Sequence, residues 1–273
     1  MPAPSKVTTP APEEASARGA SVRGRPVPAV TRSLALLRLL GETKQPLGVK
    51  AVADALGLVP STCLHILRVL VSEDLVRVDP GTKRYSLGSG MISLARSVLE
   101  GGGFAQLAQP VLDRLASSTG VTAMGVEITP KQAAVVVELS RSSHPFRLHT
   151  DAGSQFCPLV SATGRLVAAY SGENWTQLRK KFALIPWDKA PKFEAWKKEV
   201  ELAKARGWSV DRDNFLSGIT VVAVPIFAAN GRLTHTLVAA GLSSQLNAAA
   251  TSELAAAMQR EAHAISGMLL EGA

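Results

Sequence analysis

The sequence predicts an α+β protein of two domains. Its 273 residues are enough for two domains of ordinary size. The first third carries helix-type apolar spacing and a single hairpin signal, whereas the rest has β-type runs with amphipathic helices before and after them. Three consecutive glycines, Gly101 to Gly103, lie between these parts and predict a helix end or a hinge. We therefore expect a small, mostly helical domain followed by a larger antiparallel sheet with packed helices.

Composition and charge narrow the class of protein. With 46% apolar and 19% charged residues, the chain can form a substantial core. The formal charge is +8 and basic density is highest in the first third, which suits a polyanionic partner without requiring one. Cys63 and Cys157 are far apart, which gives neither a disulfide framework nor a metal-ligand cluster. No apolar run approaches the about 18 residues of a membrane span, and the first residues lack the apolar core of a signal peptide, so we expect neither feature. We expect a cytoplasmic protein without membrane association, metal or cofactor.

Four segments follow from these patterns. Residues 1–28 are rich in Pro, Ala, Ser and Thr without an apolar period, and we expect them to form a disordered tail. Residues 29–88 should form the N-terminal domain, residues 89–103 a linker helix with a glycine hinge, and residues 104–273 the second domain.

Three helices and a hairpin are predicted in the N-terminal domain. The letters TRSLALLRLLGE, from Thr31, have helical spacing, and a second helix covers Val49 to Leu56 and stops at Gly57. A third begins near Pro60, which suits a first helical turn, with a following hydroxyl residue able to cap it. Two short β-type runs then flank the turn letters DPGT at 79–82.

The third helix has two distinct faces. At 3.6 residues per turn its apolar stripe, which we expect to be buried, consists of Cys63, Ile66, Leu67 and Leu70. The opposite side carries Ser61, His65, Arg68 and Ser72, with Thr62 and Leu64 on its flank.

This order of elements predicts a winged helix-turn-helix. In that motif the second helix of the pair lies in the major groove and the hairpin reaches the DNA backbone or the minor groove. The predicted contacts with double-stranded DNA are Ser61, Thr62, Leu64, His65, Arg68, Lys83 and Arg84. The alternative is that the polar residues on this face are simply solvated, as they are on most helices.

The second domain has strands with helices at both ends. The β-type runs are TAMGVEI, AAVVVELS, GWSVDRD, ITVVAVPIFA and LTHTLVAAGL. The last two are joined through Asn230-Gly231, a strong hairpin signal. Helices are expected before the first strand, after Ser161, across 174–182 and 191–206, and at the C-terminal end. An α+β domain with an antiparallel sheet is the simplest arrangement.

The letters VADALGLVPSTCLHILRVLVSEDLVRVDPGTKRYSLG resemble the DNA-binding domain of the isocitrate lyase regulator (IclR) family of bacterial transcription factors. The resemblance continues through LAQPVLDRLASSTG, LHTDAGSQFCPLVSATGRLVAAY, ARGWSVDRDNFLSGITVVAVPIF and NGRLTHTLVAAGL, and covers nearly everything from residue 29 onward. It implies a winged helix-turn-helix, a linker helix and a GAF-like α/β effector-binding domain. It also implies homodimers, often paired into homotetramers, on pseudo-palindromic operators, where members act as repressors or activators.

The resemblance also implies an effector pocket beside the helix that starts at the letters SATG. By motif, Ala162 and Thr163 match backbone donors, and Asp211 matches an acidic ligand contact. Three further positions match Cys, Ser and Ser in members that bind small oxoacids, and here they are Val221, Val238 and Ala240. We therefore expect a drier pocket, suited to an aromatic or otherwise apolar organic acid.

Other interpretations stay open at this level. The second domain could serve oligomerisation alone, without a ligand. A hydrolase could use Ser161 with His149 and Asp151, although Ser161 lacks a nucleophile elbow, and we expect no enzyme activity. Cys157 could be a redox-sensitive thiol, but a small buried residue is the simpler expectation.

Overall fold

The computed structural model describes residues 27–43, 45–101, 103–130, 133–142, 150–157 and 159–271. The predicted disordered tail lies almost entirely outside these residues. The chain forms two compact units, which divide between Ser93 and Leu94.

The first unit contains three helices and a small antiparallel sheet with strand order β1-β3-β2. Its elements are α1 Pro28–Glu42, β1 Leu47–Gly48, α2 Val49–Leu56, α3 Pro60–Ser72, β2 Val76–Val78 and β3 Arg84–Leu87. The helix α4, Gly90–Gly101, follows and spans the division between the units.

Helices α2 and α3 meet at 112°, within the range of a helix-turn-helix. Gly57 makes the turn possible because its φ of +62° lies in the left-handed region, which glycine adopts at little cost. The N–H of Leu58 donates to the carbonyl of Ala53 at 2.9 Å and closes the end of α2. The predicted stop at Gly57 is confirmed.

The apolar stripe of α3 packs into the core of this unit. Cys63, Leu67 and Leu70 are buried, whereas Ile66 is half-buried. Leu36 and Leu40 of α1 join the same core. Desolvation by burial raises the pKa of the Cys63 thiol, as expected for a small core residue rather than a reactive one.

The chain after β3 packs directly on the backbone that follows α3. The N–H of Gly88 donates to the carbonyl of Leu75 at 2.9 Å, and the N–H of Gly90 donates to the carbonyl of Asp74 at 3.0 Å. A Cβ on Gly88 would lie 2.2 Å from the Asp74 oxygen, and one on Gly90 would lie 2.9 Å from it. Glycine is therefore required at both positions for this close approach.

The second unit is an antiparallel sheet between helices. Its remaining elements are α5 Gly103–Thr119, β4 Thr122–Ile128, β5 Ala134–Ser140, β6 Gln155–Phe156, α6 Ser161–Tyr170, α7 Trp175–Phe182, α8 Phe193–Arg206, β7 Ser209–Arg212, β8 Ile219–Phe227, β9 Leu233–Leu242 and α9 Ala248–Glu271. The six strands are ordered β6-β5-β4-β9-β8-β7, and every pair is antiparallel. The α+β prediction is confirmed.

Both faces of this sheet are covered, because the central strands are apolar at consecutive positions and successive side chains point to opposite faces. In β9, Leu237 and Ala239 belong to one core and Val238 and Ala240 to the other. The first core also contains apolar residues of α5 and α9, and the second contains residues of α6, α7 and α8.

Among the described residues, no single helix is long and apolar enough to cross a membrane. Helices α2 and α3 meet the length and composition test only when they are taken together, across their bend. In the same part of the chain, no group of three or more His, Cys, Asp or Glu side chains could hold a metal ion.

His235 in β9 is half-buried and stacks on the ring of Phe104, with ring centroids 4.1 Å apart. Its Nδ1 has no hydrogen-bond partner within the described residues. Desolvation disfavours the charged imidazolium and lowers the pKa of His235 from 6.5 to about 4.

We predict that His235 makes the second unit sensitive to mild acid. The unfolded chain takes up this proton near pH 6.5 and the folded chain only near pH 4, so stability is complete above pH 6.5 and falls between these values. The loss should reach about 3 kcal/mol. Urea unfolding of wild type and His235→Phe from pH 7.5 to 4 measures it. If the free energy of unfolding falls equally with pH in the two proteins, the prediction is wrong.

Candidate DNA-binding surface and ligand cavity

The exposed face of α3 carries the side chains that the sequence predicted there. Ser61, His65 and Arg68 are exposed, and Thr62 and Leu64 on the flank are half-buried. These side chains lie outside the core because the apolar stripe on the opposite face of the helix packs into it.

The start of α3 is uncapped, which differs from the expected hydroxyl cap. Val59 occupies the N-cap position, and no side chain accepts a hydrogen bond there. The first N–H bonded to a carbonyl of this turn is that of Cys63, which donates to Val59 at 3.0 Å. The N–H groups of Ser61 and Thr62 therefore lack an intrahelical partner and point out of the helix end, where an anion is favoured.

The tip of the hairpin is ordered by Asp79. The Asp79 carboxylate accepts hydrogen bonds from the N–H of Thr82 at 2.6 Å and from the Thr82 hydroxyl at 2.8 Å. These bonds lower the pKa of Asp79. Lys83 is exposed next to this turn. Arg84 is also exposed, but its Nη1 donates to the carbonyl of Pro46 at 3.3 Å, so part of its bonding capacity is used within the unit.

The second unit contains a cavity of about 140 Å³ between the sheet and the start of α6. Its lining is mostly apolar: Met124, Val126, Ala134, Phe156, Val160, Phe215, Leu216, Ile219, Val221, Val238 and Ala240, together with Thr150, Ser161 and Thr163.

Two hydroxyl groups in this lining have no partner in the part of the chain that the structure describes. They are the Oγ of Ser161 and the Oγ1 of Thr150, on residues that are 7% and 8% exposed. Ser161 also has a φ of +57°, which is unusual for a residue with a side chain. A buried hydroxyl without a hydrogen bond is unfavourable, so both groups are suited to a bound polar atom.

Of the six residues predicted to contact an effector, four line the cavity and two lie outside its lining. Thr163, Val221, Val238 and Ala240 line the cavity, and the three aliphatic ones add to its apolar surface. Ala162 is buried outside the lining, and its carbonyl accepts a hydrogen bond from the hydroxyl of Ser209 at 2.7 Å.

Asp211 also lies outside the lining. Its Oδ2 accepts a hydrogen bond from Nη1 of Arg165 at 2.7 Å, and both side chains are 1% exposed. The cavity wall does not include this carboxylate, so a direct ligand contact by Asp211 finds no support in the geometry. The sequence alone did not indicate Arg165 as its partner.

The cavity residues that the sequence reasoning missed come mainly from strand alternation and loops. Met124 and Val126 of β4 share a face at a spacing of two, which was readable in TAMGVEI. Phe215 and Leu216 lie between strands, where no periodic signal exists.

Two family models match the sequence. One, described as the IclR helix-turn-helix domain, covers residues 29–80. The other, described as bacterial transcriptional regulator IclR C-terminal, covers residues 96–267, more than half of the chain. The chain belongs to the IclR family of bacterial transcriptional regulators.

Relatives agree with the IclR assignment. The chain is 27% identical over 203 residues to the glycerol operon regulatory protein of Streptomyces griseus, covering 74% of this chain and 80% of that protein. It is 23% identical to the transcriptional repressor IclR of Escherichia coli K12, covering 74% and 75%. An IclR regulator structure from Alicyclobacillus acidocaldarius covers 89% of this chain and 98% of its own, with a TM-score of 0.77 and 24% identity. The fold is thus that of the family.

As an IclR-family member, the protein is a DNA-binding transcriptional regulator with a helix-turn-helix and an effector-binding C-terminal domain. These relatives are regulators rather than enzymes, which agrees with the absence of catalysis expected from the sequence. Of the hydrolase alternative, His149 lies outside the described residues. Asp151 is exposed and paired with Arg141 at 2.6 Å.

The expectation that Cys157 is buried is wrong, because this residue is exposed. It directly follows β6, a two-residue strand at the edge of the sheet, where packing from both sides is not available.

Gly164 lets α6 approach the segment before it in this IclR-family domain. A Cβ there would lie 1.9 Å from the carbonyl carbon of Leu159, a backbone atom that cannot yield as a side chain does. We predict that Gly164→Ala destabilises the second unit by at least about 3 kcal/mol, at the upper end of overpacking effects.

Gly267→Ala in α9 is the matched control, because a Cβ there meets nothing within 4 Å. It should stabilise the helix by about 0.5–1 kcal/mol. Thermal unfolding of the full chain measures both. A Gly164→Ala protein that unfolds with the wild type would show that the close approach is not required.

Proposed function

We propose that this IclR-family regulator acts in the cytoplasm as a homodimer or homotetramer on a pseudo-palindromic operator, and that a small aromatic or apolar acid in the cavity changes its affinity for DNA. The observation that carries the effector assignment is the cavity itself, which is mostly apolar and has two unpartnered buried hydroxyls in its lining.

On DNA, the exposed face of α3 would read the major groove. The uncapped helix start suits a phosphate, because the N–H groups of Ser61 and Thr62 and the helix dipole both favour an anion. His65 and Arg68 would face base edges one and two turns further along, with Leu64 beside them. Lys83 and Arg84 at the hairpin would contact the backbone.

The size and chemistry of the cavity favour one kind of ligand. A volume of about 140 Å³ is close to that of a protein cavity which holds benzene. A carboxylate bound next to Ser161 or Thr150 could accept a hydrogen bond from that hydroxyl, and the N–H groups that begin α6 also favour an anion. An oxoacid such as glyoxylate would leave polar atoms against Val221, Val238 and Ala240, at the cost of unmade hydrogen bonds.

Ligand control requires that the effector prefer one arrangement of the DNA-binding domains. The effector can change operator affinity only by its differential affinity for the two states. The segment 89–103 would connect the two events, since it joins the domain that binds DNA to the domain that contains the cavity.

We predict that Arg68→Ala weakens binding to operator fragments selected in vitro with the wild-type protein. The loss should be about 1–3 kcal/mol if Arg68 contacts a base, with reduced discrimination against mutated operators. If it contacts a phosphate, affinity should fall equally for all DNA sequences. The slope of log affinity against log salt concentration should then decrease in magnitude by about one.

Arg232→Ala is the charge-matched control. Arg232 is exposed on the turn between β8 and β9, in the other unit, so its loss removes the same charge away from the helix-turn-helix. Equal affinities for wild type and Arg68→Ala on selected and mutated operators would remove Arg68 from the interface.

We predict that Ser161→Ala has opposite effects on stability and on ligand binding. Removing an unpartnered buried hydroxyl should stabilise the free protein by about 1 kcal/mol or more, since that group has no hydrogen bond to lose. The same change should weaken binding of an aromatic acid about 10-fold or more, because a bond to its carboxylate is lost.

Thermal shift of the full chain with benzoate, phenylacetate, glyoxylate and pyruvate measures both effects. Val238→Phe should fill the cavity and abolish the shift, whereas Ser252→Ala on the exposed face of α9 should change nothing. If none of the acids stabilises a wild-type protein that binds its operator, the second unit acts without these ligands, and assembly of the oligomer becomes the better assignment.

A further inference from the structure

Arg165 is a fully buried arginine with partners on several sides. Its side chain is 1% exposed. Nη1 donates to the carbonyl of Ser161 at 2.9 Å and to Oδ2 of Asp211 at 2.7 Å. Nη2 donates to Oδ1 of Asn214 at 3.1 Å, and Nε donates to Glu199 at 2.7 Å. A buried guanidinium with every edge occupied holds its neighbours in fixed geometry.

The other carboxylate oxygen of Asp211 holds the loop that follows β7. Its Oδ1 accepts hydrogen bonds from the N–H groups of Asn214 and Phe215, each at 3.2 Å. Phe215 and Leu216, the next residues along this loop, form one wall of the cavity.

Two walls of the cavity are therefore attached to the same ion pair. One is Ser161, whose carbonyl is held by Arg165 and whose hydroxyl lies unpartnered in the lining. The other is the Phe215 wall, held through Asp211. Ser161 needs such support, because a positive φ on a residue with a side chain persists only where its surroundings enforce it.

We propose that Arg165 and Asp211 are positioning residues of the cavity, which lock the Ser161 wall and the Phe215 wall to each other and so set which ligand the cavity accepts. Asp211 acts through Arg165 and the loop backbone rather than by touching the ligand. The proposal rests on the proposed function for the ligand itself, whereas the locking of the two walls is a property of the free protein.

A buried ion pair contributes little net stability to a fold. Apolar residues of similar volume often serve stability equally well, because two charges lose their hydration on burial. Here each charged group also bonds the backbone of a cavity wall, which an apolar pair could not do. The arrangement therefore favours a role in fixing geometry over a role in stability alone.

Glu199 provides a matched control within the same network. It pairs with Nε of Arg165 from α8, and its side chain is 43% exposed, on a residue outside the cavity lining. Glu199→Gln removes one charge from the same guanidinium without touching either wall.

Hydrogen exchange of the ligand-free full chain tests the locking. In Asp211→Asn, exchange should accelerate roughly 10-fold to 100-fold in the loop at Asn214 and Phe215 and also at Gly164 in the first turn of α6, which Asp211 does not touch. Exchange in α9 should stay unchanged, and Glu199→Gln should resemble wild type. Should Asp211→Asn fail to fold, Asn214→Ala takes its place, since it removes a single hydrogen bond to Arg165. The same acceleration of exchange in the loop and at Gly164 is expected.

Acceleration confined to the loop, acceleration spread evenly over the unit, or an equal effect of Glu199→Gln would each overturn the proposal. Benzoate binding is a separate measurement, expected to weaken about 10-fold in Asp211→Asn and to stay unchanged in Glu199→Gln. If wild type does not bind benzoate, the proposed ligand class fails, while the exchange at Gly164 still decides whether the walls are locked together.

Discussion

The second unit depends on one constraint: strands β8 and β9 are covered by helices on both faces. Every side chain of β9 from Thr236 to Ala240 is buried, so each must suit the helix layer that it meets. Leu237 packs in the core that contains residues of α5 and α9, whereas Val238 and Ala240 pack in the core that contains residues of α6. Smaller residues on that second face leave space beside the start of α6. The cavity is thus a local departure from complete packing, which elsewhere in a protein interior is the rule.

The polar groups of this unit follow from the same constraint. Once two helix layers enclose the sheet, a charged side chain can remain inside only with its bonds made within the protein, as in the pair of Arg165 and Asp211. The hydroxyls of Ser161 and Thr150 lack such partners in the described part of the chain, and they lie where the packing is open. The ion pair beside the cavity thus has its hydrogen bonds made, whereas two hydroxyls of the cavity lining do not.

How much was predictable depends on the range of the interactions. The α2–turn–α3 unit was readable because Gly57, Pro60 and the apolar stripe of α3 act within a few residues. Strands β1 and β6 were missed because two residues carry no period. The partner of Asp211 was missed because Arg165 lies 46 positions earlier, and a sequence pattern does not record which side chains the fold brings together. The four aliphatic or hydroxyl cavity positions were found through resemblance rather than through spacing.

The contact of Gly88 and Gly90 with Asp74 has a mechanical consequence. The two backbone segments are in direct contact there, with two hydrogen bonds and no glycine side chain between them. The start of α4 and the backbone that follows α3 are therefore held closely together, and a displacement of one is passed to the other. A rotation at the start of α4 would therefore also turn α3 and the side chains on its exposed face.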